Sequence, residues 1–166
     1  LGGCTDSKML DQQCGMESSL SLMTSLIHGA NIVHDVGFMD SGMQGSFQLQ
    51  VIANDTIGWL RAATSGIPID EDTLALDVIE ELGPTGDYLG HRHTLLHFRE
   101  PFHSRLADKG THSQWAERGA TSMEERAARE VDRILESHQP ESLPASVQHD
   151  LRRVVEREQA WIDSLA

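Results

Sequence analysis

One stretch, residues 30–61, constrains the fold more than any other part of the chain. It opens with a short apolar run that contains β-branched side chains, continues through a loop with glycines at 37, 42 and 45, and ends in a segment of helical periodicity. Strand, glycine loop and helix form the repeating unit of parallel α/β enzymes, whose ligands bind at the loops that follow the strands. We therefore predict a strand at residues 30–36, covered on both faces, and a ligand site in the loop after it.

Helical periodicity accounts for much of the remaining chain, so we expect a predominantly helical structure. Asp70 is a predicted N-cap, and Thr121 with Glu124 forms a predicted capping box. Residues 102–119 lack clear periodicity, so we expect that segment to wrap over the surface. Helices are predicted at residues 12–28, 46–65, 70–82 and 91–100, from 121 to the proline break at 140–144, and from about 145 onward.

This order of elements predicts two β/α units over residues 1–66 and a helical extension of the same domain over residues 67–166. Residues 1–6 look like the end of a strand that enters its loop, which indicates part of a longer protein. A closed (β/α)8 barrel needs about 250 residues, and this chain of 166 cannot form one alone. The last helix has a predicted inner face formed by Val147, Leu151, Val154, Trp161 and Leu165.

The charge balance is strongly acidic and restricts the possible partners. Lysine and arginine number 13 against 26 aspartates and glutamates, for a net charge of −13. Such a surface repels phosphate backbones, so we expect no nucleic-acid partner. Cys4 and Cys14 are too far apart for a Cys-x-x-Cys pair. No secretory leader and no apolar run of about 18 residues is present, so we expect a cytoplasmic protein without a membrane partner.

Two polar clusters are candidate ligand sites. The first begins at Thr5 and Asp6 and extends into the following helix with Gln13 and Glu17. Polar groups after a strand end suit the mouth of a barrel, although helix capping is the favoured explanation of this cluster taken by itself, because caps are so common. The second is the loop 34–42, in which glycines let the backbone approach a ligand and Phe38 could offer its ring to a cation. The alternative for Phe38 is packing in the core.

A third cluster contains three histidines, His91, His93 and His97. A helix would place His93 and His97 on one face, as zinc ligands often are. The pattern lacks the internal glutamate of a His-Glu-x-x-His hydrolase. Histidines packed at a helix end are therefore the favoured interpretation.

Several motifs together resemble the trimethylamine methyltransferase (MttB-type) family of corrinoid methyltransferases. They extend over nearly the whole chain and are densest from Thr5 to Glu100. They read Thr5-Asp6-Ser7-Lys8-x-x-Asp11-x-Gln13-x-Gly15-x-Glu17, Gly29-Ala30-Asn31, Gly37-x-x-x-Ser41-Gly42, Asp70-x-x-Thr73-Leu74-Ala75-x-Asp77-Val78-Ile79, Gly83-Pro84-x-Gly86-x-Tyr88-Leu89, His93-Thr94-Leu95-x-His97-Phe98-Arg99-Glu100 and Trp115-x-x-x-Gly119.

The resemblance implies that this chain is the C-terminal part of a TIM (β/α)8 barrel with a helical C-terminal extension. Residues 1–66 would be the last two β/α units and residues 67–166 the extension. The family moves a methyl group from trimethylamine, or from a quaternary amine such as glycine betaine, to the cobalt of a corrinoid. The corrinoid is carried by a partner protein, so no cofactor is expected to bind this chain directly. A homo-oligomer is also expected.

For such a substrate, a methylammonium group would be held by carboxylates and an aromatic face. The candidates for substrate binding are Asp6, Glu17, Asp40 and Phe38, and Gln13 could orient a polar group of the substrate. No catalytic residue is assigned. The resemblance gives the histidines a structural role, so no metal is expected.

Two other hypotheses remain from the sequence. The chain could be a non-catalytic helical module for docking or oligomerisation that derives from such an enzyme. Alternatively, it could be a metal-dependent enzyme that uses His91, His93 and His97.

Overall fold

The structure is a computed structural model that describes residues 2–165. Within this range it is predominantly helical, with one small antiparallel sheet, and it divides into two compact units, one up to Arg133 and one from Ile134 onward. The helices are α1 (Gln12–Ile27), α2 (Phe47–Thr64), α3 (Glu71–Leu74), α4 (Leu76–Leu82), α5 (Arg92–His97), α6 (His112–Glu117), α7 (Met123–Ser137) and α8 (Ala145–Asp163).

Helices α1 and α2 pack together and confirm the helices predicted at residues 12–28 and 46–65. Asp11 caps α1 by accepting a hydrogen bond from the backbone N–H of Cys14, and Ser46 caps α2 in the same way. Cys14, Leu49 and Met39 form a fully buried core cluster. Burial of apolar surface here is what holds the two helices against the loops that precede them.

The predicted strand at residues 30–36 is wrong. The sheet consists instead of β1 (Phe38–Met39) and β2 (Gln44–Gly45), which pair antiparallel around a 3₁₀ turn. Residues 2–7 and 34–40 do run alongside each other in the same direction, joined by four backbone hydrogen bonds. Asp35 (φ 72°), Gly37 (φ 89°) and Gly3 (φ 78°) have left-handed backbones, which interrupt the extended geometry of a regular ladder.

No barrel is formed by residues 2–165, so the TIM barrel remains a prediction. The predicted strand end at residues 1–6 lacks strand structure from residue 2 onward, and Leu1 lies outside the described residues. Gly2 and Gly3 are nevertheless buried against α1 and the 30–37 segment. The start of the described chain is therefore an inner segment of this unit.

The single helix predicted from Asp70 to Leu82 is divided in two. Asp70 caps α3 through a capping box with Thr73, as expected for a cap at this position. Ala75 then adopts a left-handed conformation (φ 47°), which ends α3 and lets α4 begin on a new axis. A left-handed alanine is uncommon, and its helical propensity gave no sign of the break. Helix α4 ends at Leu82, the predicted end of the helix, with Gly83 as its C-cap.

Residues 102–119 contain a helix that the periodicity did not predict. Thr111 and Gln114 form a reciprocal capping box at the start of α6.

The capping box of α7 also differs from the expected one by one position. Ser122 and Glu125 exchange the two hydrogen bonds, at 2.6 and 3.1 Å, in place of Thr121 and Glu124.

Helix α8 confirms the last predicted helix, but its predicted inner face is exposed. Its apolar side chains are between 41% and 68% accessible, from Val147 through Leu151 and Val154 to Leu165 just beyond the helix. The sequence pattern identified an apolar stripe correctly, whereas burial of that stripe depends on what packs against it. Among the described helices, none is both long and apolar enough to traverse a bilayer.

Candidate functional site

The candidate site is built on the loop at residues 4–11, between the first buried segment and α1. Two small hydroxyl side chains in this loop, Thr5 and Ser7, are almost completely buried. Thr5 Oγ1 accepts a hydrogen bond from the Ser7 backbone N–H at 2.9 Å. Ser7 Oγ in turn donates to Asp11 Oδ1 at 2.9 Å. These bonds satisfy the buried polar groups, so the loop has a defined shape.

Glu17, on α1, connects this loop to the helix. Its Oε2 accepts from Thr5 Oγ1 at 2.7 Å and from the Asp6 backbone N–H at 2.8 Å, while its Oε1 accepts from Gln13 Nε2 at 2.9 Å. These donors, first the Thr5 hydroxyl, stabilise the ionised carboxylate and lower the pKa of Glu17. Oε2 of Glu17 therefore holds the loop, while Oε1 is bonded within α1.

A concave pocket of about 520 Å³ opens where this loop meets the 34–42 loop. That size lies within the range of about 300–1,000 Å³ usual for small-molecule sites. Asp6 and Phe38 both line it, and Ser41 Oγ donates to Asp6 Oδ1 at 2.8 Å across the two loops. The lining residues are Cys4, Thr5, Asp6, Asp35, Phe38, Ser41 and Gly42.

The backbone of the 34–42 loop is what presents these groups. Asp35, Asp40 and Ser41 all have positive φ angles, between 50° and 72°, which turn the chain sharply on either side of β1. Gly37, between them, is buried, and a Cβ added there would lie 2.2 Å from Gln50 Cγ of α2. The loop is therefore held closely against α2 at a position that only glycine fits.

Asp40 faces a different partner from the other candidates. Lys8 Nζ lies 3.5 Å from Asp40 Oδ1 and donates to the Asp6 carbonyl oxygen at 2.8 Å. Lys8 thus bridges the two loops beside the pocket. Both side chains of the pair are substantially exposed, so the contribution of this ion pair to stability is small.

The structure therefore divides the five predicted substrate-binding residues by position. Asp6 and Phe38 line the pocket. Glu17 accepts from the Asp6 backbone N–H, Gln13 donates to Glu17, and Asp40 pairs with Lys8.

Asp35 and Ser41 line the pocket but were not among the predicted substrate-binding residues. Both belong to the 34–42 loop that the sequence identified as a candidate site. Their positive φ angles, which orient them, have no signature in the sequence because neither is glycine.

The three histidines do not form one cluster. His91 caps α5, its Nδ1 accepting from the His93 backbone N–H at 3.2 Å, and its Nε2 lies 3.7 Å from Glu81. His93 and His97 lie together on α5 with ring centroids 4.3 Å apart, facing Asp72 at the start of α3.

Comparison with known proteins identifies relatives over almost the whole chain. The sequence model described as trimethylamine methyltransferase (MTTB) matches residues 1–162. The chain is similar to trimethylamine methyltransferase MttB of Desulfitobacterium hafniense (strain DSM 10664 / DCB-2), with 32% identity over 155 residues that cover 93% of this chain and 31% of that protein.

Two further relatives have the same coverage pattern. Trimethylamine methyltransferase MttB of Methanosarcina barkeri (strain Fusaro / DSM 804) is 28% identical over 94% of this chain and 32% of its own length. A glycine betaine methyltransferase of Desulfitobacterium hafniense (strain Y51) is 32% identical over 93% of this chain and 32% of its own length. The chain thus spans about a third of the length of these relatives. A family match over residues 1–162 shows that this chain belongs to the trimethylamine methyltransferase family.

Proposed function

We propose that the protein transfers a methyl group from a methylated amine to a corrinoid held by a partner protein. Family membership supports the reaction class, since the relatives are named as trimethylamine and glycine betaine methyltransferases. The observation that carries the assignment to a site is the pocket in which the Asp6 carboxylate and the Phe38 ring lie together.

The chemistry of this pocket suits a methylated ammonium group. Its described lining residues include two carboxylates, Asp6 and Asp35, whose negative charge favours a cation. Phe38 is 40% exposed, so its ring is accessible to a ligand and can add a cation–π interaction. Hydrogen bonding of Asp6 to Ser41 keeps the carboxylate at the junction of the two loops.

In this proposal Asp6, Asp35 and Phe38 bind the ammonium head, while Glu17 and Gln13 position the loop that carries Asp6. The corrinoid supplies the nucleophilic metal that accepts the methyl group. The role of this chain is to hold the donor nitrogen and its methyl group in one orientation. Orientation of this kind can supply up to roughly 7–11 kcal/mol of a reaction barrier in favourable cases.

The charge of the pocket also distinguishes between possible donors. Glycine betaine carries a carboxylate, which Asp6 and Asp35 would repel, whereas protonated trimethylamine carries only positive charge. We therefore infer that trimethylamine is the better donor. Lys8 lies beside the pocket, so it is the residue that would offset this repulsion if a betaine bound.

Methyl-transfer kinetics test this function. Trimethylamine and glycine betaine are each supplied as donor with a cobalt(I) corrinoid as acceptor, and Asp6→Asn and Phe38→Leu are compared with the unmodified protein. Phe38→Leu keeps the apolar volume but removes the ring, so we expect KM for trimethylamine to rise about two- to five-fold. Asp6→Asn removes the charge, and we expect an increase at least as large.

Two variants at residues outside the pocket lining serve as matched controls. Asp132→Asn changes an exposed aspartate of α7, and Phe98→Leu changes an exposed phenylalanine just after α5. Both should retain the kinetics of the unmodified protein. If neither amine is demethylated, the proposed reaction is contradicted. Normal kinetics in both pocket variants would contradict the assigned site.

The alternative of a non-catalytic docking module has less support. The relatives reported above are named as enzymes, and they match this chain over more than nine-tenths of its length. The similarity therefore favours the methyltransferase over a module that has lost its activity.

A further inference from the structure

A second group of side chains, on α3 and α5, lies outside the lining of the pocket proposed to bind the methylated amine. His93 and His97 lie on the same side of α5, separated by one helical turn, with their ring planes tilted by 35°. Each side chain is 26% exposed. The two rings are therefore partly shielded by the protein but open at one edge to solvent and small ions.

Asp72 completes the group from a different element. Its Oδ1 lies 3.7 Å from His93 Nε2, and its Oδ2 lies 3.3 Å from His97 Nε2. One ligand atom of each of the three residues falls within 4.8 Å of the other two. Two ligands bound tetrahedrally to a zinc ion at about 2.1 Å are about 3.4 Å apart. The carboxylate-to-imidazole distances are thus close to those that a bound metal requires.

Glu100 provides the outer contact that metal-bound histidines usually have. Its Oε1 lies 2.6 Å from His97 Nδ1, on the side of the ring opposite to Asp72. A carboxylate at Nδ1 fixes the tautomer with the proton on Nδ1 and leaves Nε2 as a metal ligand. Glu100 therefore orients His97 Nε2 toward the point where a metal would lie.

His93 needs one change to serve as a ligand. Its Nε2 lies 2.8 Å from the Asp72 carbonyl oxygen, to which a protonated Nε2 donates a hydrogen bond. Metal binding would replace this bond. The neutral ring would exchange its Nε2 proton for one on Nδ1 through solvent, with no net proton released, and Nε2 would become the ligand. Metal affinity should decrease at low pH, where protons compete with the metal for the imidazoles.

The geometry points to a binding site for a divalent transition-metal ion, such as Zn²⁺, formed by Asp72, His93 and His97 with Glu100 as the outer partner. Two imidazoles and one carboxylate are a donor set that such ions accept. The site would join the first turn of α3 to α5. The periodicity of His93 and His97 alone favoured packing at a helix end. Asp72, which is distant in sequence, is the observation that changes the inference.

Competition titration tests the site on the full chain after treatment with a chelator. Zn²⁺ is added in the presence of a chromophoric chelator, and its affinity is compared among variants. We expect one Zn²⁺ per chain in the unmodified protein. Outer-shell changes typically weaken metal binding by about 10–100-fold, so we expect that loss for Glu100→Gln and a larger one for His93→Gln, His97→Gln and Asp72→Asn. His149→Gln, an exposed histidine of α8, is the matched control and should bind normally.

Thermal unfolding provides a second readout. Ligands that bind only the folded state raise Tm, so Zn²⁺ should raise Tm of the unmodified chain and of His149→Gln, but not of His97→Gln. If a histidine variant fails to fold, Asp72→Asn decides the question, because Asp72 is exposed. Two results would overturn the site: Zn²⁺ affinity equal in Asp72→Asn and the unmodified chain, or unmodified affinity no higher than in the His93→Gln/His97→Gln double variant. Those results would leave ion pairing as the reason for the cluster.

Discussion

The position of the Glu17 side chain indicates that this residue supports the loop at Thr5 and Asp6, whereas the sequence predicted that it binds the substrate. The sequence placed it with Asp6 and Gln13 in one polar cluster, and the structure does bring the three together. It also turns both oxygens of Glu17 toward the protein, where Thr5, Asp6 and Gln13 donate to them. The sequence alone identifies which residues converge. Their directions depend on the tertiary packing of the loop on α1.

Glu17→Gln tests this supporting role. The amide oxygen of this variant can replace one carboxylate oxygen as an acceptor. Its NH₂ group replaces the other oxygen and cannot accept a hydrogen bond from Thr5, Asp6 or Gln13. We therefore expect Tm to be a few degrees lower at pH 7, as measured by circular dichroism. Glu80→Gln, an exposed glutamate of α4, is the control and should leave Tm unchanged.

The pH dependence of this effect has a defined sign. Because the folded state lowers the pKa of Glu17 below 4.5, the folded protein binds this proton less tightly than the unfolded chain does. The stabilisation is therefore complete above pH 4.5 and is lost as the pH falls through the lowered folded pKa. The Tm difference between Glu17→Gln and the unmodified chain should shrink over that acidic range. A difference independent of pH would contradict an ionic role for Glu17.

At the level of the element, the start of α7 shows that a capping pattern in the sequence can fit two adjacent registers. The chain reads Thr121-Ser122-Met123-Glu124-Glu125, so a Ser/Thr-x-x-Glu pattern fits in two adjacent registers. The structure selects Ser122 and Glu125. The Thr121 carbonyl oxygen instead accepts from Trp115 Nε1 and from the Arg126 guanidinium. Tertiary contacts of the backbone therefore decide between registers that are equivalent in sequence.

Ser122→Ala and Thr121→Ala distinguish the two registers. Loss of an N-cap side chain costs about 0.5–2 kcal/mol of stability, so we expect Ser122→Ala to lower the free energy of unfolding by about 1 kcal/mol. For a protein of this size that corresponds to roughly 2–4 °C in Tm. Thr121→Ala should have a clearly smaller effect. Chemical denaturation gives both values, and a larger loss for Thr121→Ala would contradict the observed cap.

The errors in other elements have a common cause. Gly3 and Gly37 also interrupt the strand geometry, but both the 30–36 strand and the single helix at 70–82 contain a residue other than glycine with a positive φ, Asp35 and Ala75. Propensity scales treat these residues as ordinary, because their conformation is imposed by the surrounding structure. Helices α1 and α2 were predicted correctly because periodicity, caps and terminal residues all agree there.

For the whole molecule, the sequence motifs identified the family, and the comparisons confirm it over residues 1–162. The mainly helical character was also predicted correctly. The barrel remains a prediction, because its closure requires strands that residues 2–165 do not contain. The corrinoid partner and the oligomer also remain predictions. The pocket itself could be anticipated only in part. Its two loops were identified from the sequence, whereas its shape depends on backbone angles at Asp35, Asp40 and Ser41.

Binding of a methylated cation at Asp6 and Phe38 is the central claim, and an NMR titration tests it most directly. The full chain is titrated with tetramethylammonium and, separately, with tert-butyl alcohol, a neutral molecule of similar shape. We expect the cation to shift the resonances of the Phe38 ring and of Ser41, and the alcohol to leave them nearly unchanged. Equal shifts with both molecules, or shifts by the cation only at residues outside this pocket, would contradict the claim.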